Sequence, residues 1–149
     1  MKKILFIVAL FAFHWAVSQQ KSSIKIVESK KIELTSELSK DKVDVYHQAF
    51  MKFLTALKSS DKEKIKALVS DKIQYYMSDD IIKKLSGGIS FERKMEVYKS
   101  GYQQLYEKET YPIIQYKYAD DQQNPPRDIV NVIFENDGKI LGVKPQYAE

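Results

Sequence analysis

The chain has 149 residues, 24 basic and 20 acidic side chains, 44% apolar composition and no cysteine. That length suits one domain, and the missing cysteine excludes both a disulfide framework and a thiolate metal site. A formal charge of +4 spread among mixed signs gives no basic patch of the kind that holds nucleic acid.

Met1 to Ser18, MKKILFIVALFAFHWAVS, reads as a secretory signal peptide. Two lysines precede the apolar run Ile4 to Val17, and Ala16-Val17-Ser18 supplies small residues for cleavage. The run is shorter than the about 20 residues a membrane-spanning helix needs. The expectation is therefore an exported protein, periplasmic or secreted, with no stable membrane anchor after cleavage. Loss of Lys2 and Lys3 brings the mature charge to about +2. Gln19 to Lys40 is a polar, lysine-rich leader. Ser23 to Val27 and Lys31 to Leu34 alternate weakly, so the leader is either an unstructured tail or an added edge strand. A single domain is expected from residue 41 to the end.

From Lys42 onward, Val43, Tyr46, Phe50, Phe53, Leu54 and Leu57 recur at steps of three and four. That is the apolar stripe of an amphipathic helix, with Lys42, Gln48, Lys52 and Lys58 on the other side. Ser60-Asp61-Lys62-Glu63 has the form of a capping box, which places Ser60 at the start of a second helix. Ile65, Leu68 and Val69 give that helix its buried side, and Ser70-Asp71 ends it. Ile73 to Met77 reads as a tyrosine-rich strand.

A helix closing on Ala56 to Asp61, ALKSSD, a short helix over Lys64 to Ile73, KIKALVSDKI, and a strand after it resemble the nuclear-transport-factor-2-like superfamily. The resemblance runs from Lys42 to Lys144 and lies in the order and punctuation of elements. It implies a cone-shaped α+β fold, two or three N-terminal helices packed on a curved antiparallel sheet, with a ligand chamber between them. Homodimers are common in that superfamily, and its members divide between binders and acid/base enzymes.

Ser78 or Asp79 caps a short helix ending at Gly87, a position suited to a left-handed cap. Ser90 then caps a longer helix, in which Phe91, Met95, Tyr98, Tyr102 and Leu105 step by four and three. Gly101 falls inside it and points to a close approach by another element. Three strands finish the chain: Tyr111 to Tyr118, Ile129 to Glu135, and Lys139 to Lys144, with Pro145 as the stop. Asn136-Asp137-Gly138 marks a tight hairpin between the last two.

The chemistry-bearing residues are few. Asp79 and Asp80 follow the first expected strand, where a carboxylate buried at the cone mouth gains a raised pKa and serves as a base. Tyr75 and Tyr76 precede them and supply hydrogen-bond partners; as N-cap groups the same acids are structural. His47, the one histidine of the mature chain, stands at the edge of the apolar stripe, as general base or as packing residue. Tyr46, Tyr75, Tyr76, Tyr98 and Tyr102 are the candidate ligand contacts, rings with hydroxyl handles for an apolar or aromatic molecule. No phosphate loop, nucleophile elbow, HExxH or CxxC is present, so no cofactor and no metal are expected. These residues point to a non-enzymatic domain that binds a small ligand or a protein partner, as monomer or homodimer. The alternative is an isomerase- or dehydratase-like enzyme with Asp79 or Asp80 as base and a tyrosine beside it.

Overall fold

The computed structural model describes residues 33–105 and 109–147. Among the described residues four helices come first: α1 (Lys40–Lys58), α2 (Lys62–Leu68), α3 (Asp71–Gln74) and α4 (Asp79–Gly87). Four strands follow: β1 (Met95–Gln104), β2 (Thr110–Tyr118), β3 (Asp128–Phe134) and β4 (Ile140–Tyr147). The strands form one antiparallel meander in the order β1-β2-β3-β4. Helices N-terminal to an antiparallel sheet are the α+β arrangement the sequence implies. The signal-peptide reading and most of the leader lie outside the described residues.

The stripe of α1 buries Tyr46, Phe50, Phe53, Ala56 and Leu57. Each large side chain among them contributes about 1.5–3 kcal/mol on leaving water. The helix ends in a Schellman turn: the Ser60 amide donates to Leu57 O and the Asp61 amide to Ala56 O. Ser60 takes the left-handed conformation this turn requires, φ 54°. It therefore ends α1, and the N-cap of α2 is Asp61, whose carboxylate accepts from the Lys64 amide at 3.1 Å, so no capping box forms.

Ile73 to Met77 is not a strand. Ser70 caps the single turn α3 by accepting from the Lys72 amide, and Ile73 and Met77 are buried four residues apart, a helical spacing. Val69 supplies the only strand-like contact there among the described residues, a parallel bridge to Ile140. Ser78 caps α4 as expected, accepting from the Ile81 amide. The cap at its other end is Gly88 with φ −89°, so neither glycine of the pair is left-handed.

The largest correction is at Phe91 to Leu105, read as a helix: residues 91–94 are a turn and Met95–Gln104 is strand β1. Its register against β2 shifts between Val97 and Lys99. Before that bulge Met95 and Val97 oppose Tyr118 and Tyr116; after it Ser100 and Tyr102 oppose Ile114 and Pro112. The bulge reverses the parity of the strand. Met95 and Tyr102, seven residues apart, thus share one face, which is also what two helical turns do. The step pattern fits both structures, and the hairpin with β2 decides for the strand.

Gly101 makes the close approach expected of it, but in β1. A Cβ there would fall 2.5 Å from Ser36 O and 3.1 Å from Leu34 Cβ. Thr35 N donates to Tyr102 O at 2.8 Å and Tyr102 N to Ser36 O at 3.0 Å, so residues 34–36 run against the β1 edge. At the other edge Pro145 lies within β4, opposite Val130, and does not stop it. An edge strand tolerates the missing donor. The Asp137-Gly138 hairpin holds, with Gly138 at φ 92°.

Gly101→Ala should destabilise by about 2 kcal/mol or more, because backbone cannot yield as a side chain does. Gly87→Ala, with nothing within 4 Å, should stabilise by about 0.5–1 kcal/mol. Urea denaturation of the two variants checks both signs.

Candidate functional site

The space between α1 and the sheet is occupied by the protein's own rings. Tyr46 stacks on Phe134 with centroids 4.9 Å apart, and Phe50 lies 4.6 Å from Tyr116 and 6.3 Å from Phe53. Phe50, Phe53, Tyr116 and Phe134 are all at 0% exposure. The interior is thus a packed core at the place where the resemblance implies a chamber. Among the described residues, two buried side-chain atoms there lack a hydrogen-bond partner, His47 Nδ1 and Tyr116 Oη. Their rings are stacked 5.7 Å apart. Burial alone pushes the Tyr116 phenol up, well above its ordinary range.

The acids stand elsewhere. Asp79 accepts from Lys62 Nζ at 2.7 Å with its side chain 83% exposed, and Asp80 beside it is exposed in the same first turn of α4. The Lys62 ammonium, first by its hydrogen bond and then by its charge, holds the Asp79 carboxyl below the usual range. A base in a cavity needs the opposite shift. Both acids sit where the helix dipole favours negative charge.

The five tyrosines do not gather at one point: Tyr46 and Tyr102 both lie by Lys42, Tyr75 meets Tyr76, and Tyr98 stands at the β1 bulge. Tyr46 is in the core, its hydroxyl donating to Asn136 O at 3.4 Å. Tyr102, half-buried at the far end of β1, accepts from Lys42 Nζ at 2.6 Å. That hydrogen bond raises the Lys42 pKa. Tyr98 is half-buried at the β1 bulge, with Lys99 Nζ 5.0 Å from its ring. Tyr75 and Tyr76 meet edge to face at 5.4 Å after α3, and Tyr75 is 91% exposed.

Recesses open outward on the helical side and beside the last hairpin. One, about 490 Å³, lies between α2 and α4, with Ile82 and Phe91 in its apolar lining and Ser60, Lys62, Asp79 and Lys83 around them. The other, about 370 Å³, adjoins the β3–β4 turn. Four of its charges are already paired, Lys72 with Glu135 at 2.9 Å and Lys139 with Asp71 at 3.1 Å.

The sequence reading missed the recess at which the buried Ile82 and half-buried Phe91 meet, and missed Arg93 altogether. Arg93 grips Asp120 through Nε and Nη2 and reaches Asp128 through Nη1 at 3.0 Å, with its guanidinium 4.0 Å from the Tyr118 ring centroid. Tyr118 Oη in turn accepts from the Ser90 amide at 2.9 Å. The buried Asp121 accepts from the amides of Gln123, Arg127 and Asp128, closing the loop. No sequence spacing announces a clamp whose partners are so far apart in the chain. It braces the α4–β1 connection against the β2–β3 loop and the start of β3.

Among the described residues no group of histidine and carboxylate side chains could hold a metal, and no helix is long and apolar enough to cross a membrane. Comparison with protein-family models, with curated proteins and with solved structures returns no match.

Two outcomes follow for stability. Tyr116→Phe removes a buried hydroxyl without a partner and should stabilise by about 1 kcal/mol in urea titrations. The Asp120 carboxyl is held down mainly by its Arg93 hydrogen bonds and the Asp121 carboxyl by backbone amides. Both fold with a pKa below the ordinary 3.8, so their contribution is complete above about pH 4 and is lost as pH falls through the lowered values. Arg93→Met should shrink the Asp120 share of that acid loss, read as a flatter melting temperature between pH 5 and pH 2.

Proposed function

We propose that the chain is an exported, non-enzymatic binding module built on a nuclear-transport-factor-2-like scaffold, and that it engages a protein partner on its outer helical surface. The observation that carries this is the filled interior: Phe50, Phe53, Tyr116 and Phe134 occupy the volume a small ligand or substrate needs. The order of a long helix, short helices and an antiparallel sheet supports the scaffold. The reading of Met1 to Ser18 as a signal peptide supports export.

The α2–α4 run offers a surface of the right kind. An apolar recess with Ile82 and Phe91 has a paired rim, Lys62 with Asp79. Tyr75 on the same run is an exposed aromatic with little side-chain entropy to lose. Interfaces concentrate their energy in such residues. The partner that fits presents an aliphatic side chain to the recess and polar groups to its rim.

A photo-crosslinking residue placed at Tyr75 in the full chain, expressed in its natural host, should give a defined protein adduct. The same residue at exposed Glu37 should not. Phe91→Ala should weaken the adduct, and Tyr75→Ala should cost about tenfold in affinity for the captured protein with an unchanged melting temperature. Equal adducts at the two positions, or none at Tyr75, overturn the reading.

A further inference from the structure

The recess between α2 and α4 is lined from α4 by Asp79, Ile82, Lys83, Ser86 and Gly87. Steps of three and four put these residues along one face of that helix. From Asp79 to Gly87 the helix rises about 12 Å. About four residues of extended chain cover the same distance.

The charges along this face are matched, with one exception. At the start of α4 Lys62 and Asp79 close at 2.7 Å and cancel each other. Glu92, next to Phe91, is matched by Lys58 at 3.6 Å. Between these pairs the buried Ile82 and half-buried Phe91 form an apolar floor. At the end of α4 Gly87 is exposed, and a Cβ built on it meets nothing within 4 Å, so the recess is open there. The exception is Lys83, which is exposed and has no ion pair or hydrogen bond among the described residues. An apolar floor beside one unmatched ammonium is complementary to an apolar side chain beside one carboxylate.

We propose that this face of α4 takes an acidic, hydrophobic peptide segment of the partner. An aliphatic side chain of that segment sits against Ile82 and Phe91. An aspartate or glutamate within about four residues of it accepts from Lys83 Nζ. The assignment rests on the outer helical surface being where the partner binds, and it adds the chemistry of the segment that binds there. A basic segment is turned away by the same ammonium.

The probe is a display library of random short peptides, selected on the full chain. Recovered peptides should pair an aliphatic residue with Asp or Glu, and their affinity should fall with added salt. Lys83→Glu should weaken them about tenfold or more, and a lysine in place of the peptide's acid should restore binding to that variant. Gly87→Leu fills the open end of the recess and should block the peptides, with a melting temperature no lower than that of the parent chain. Both substituted positions are exposed, so the core is left intact. Peptides without an acid, peptides indifferent to Lys83→Glu, or no recovered peptide at all overturn the proposal. Saturable binding of decanoate in place of any peptide overturns it too, and assigns the recess to a free carboxylic acid. The Tyr75 crosslink separates this proposal from the reading it rests on. An adduct that survives both Lys83→Glu and Gly87→Leu keeps the partner surface and removes the acidic segment, whereas no adduct removes the surface itself.

Discussion

Everything in this fold hangs on the contact between one helical stripe and one strand pair. Phe50 on Tyr116 and Tyr46 on Phe134 tie α1 to β2 and β3. Those two strands are the central ones of the meander, so the contact orients the whole sheet. It also consumes the interior: rings at close-packed distances leave no volume for a guest. The proposed binding surface is placed on the outside for that reason, because the groups that would line a chamber are the groups that hold the molecule together.

The polar chemistry follows the same division. The strongest charge cluster, Arg93 with Asp120 and Asp128, lies at one end of the sheet and is internally satisfied. Its guanidinium covers Tyr118, whose hydroxyl takes the Ser90 amide. One arginine thereby joins the α4–β1 connection to the end of β2, the β2–β3 loop and the start of β3. A clamp of this kind specifies register, since a slip by one residue would turn Tyr118 away from the guanidinium. Asp79 likewise spends its charge on Lys62.

Several elements were legible from residues alone. The α1 stripe is unambiguous because nineteen residues give the 3.6-residue period room to repeat. The last hairpin is equally plain, because Asp137-Gly138 suits a backbone that few other residues adopt. Elsewhere local pattern and fold part company. In β1 a bulge lets a seven-residue apolar spacing serve a strand, and the four-residue turn α3 is too short for any period to register. Ser60 and Asp61 are both good caps, and only the left-handed turn ending α1 settles which of them begins α2.

The candidate site was less legible than the fold. Alternation shows that tyrosines near residue 75 line up on opposite sides; it does not show that the segment coils and throws Tyr75 into solvent. What the sequence determined by itself was the class, helices followed by antiparallel strands, and the identity of the core stripe, because both rest on short-range periodicity. Only the tertiary structure decided whether the space between α1 and the sheet is open or filled, which tyrosines come together, and that one glycine meets Ser36 and Leu34. Those outcomes depend on contacts between residues tens of positions apart, and no local pattern carries that information.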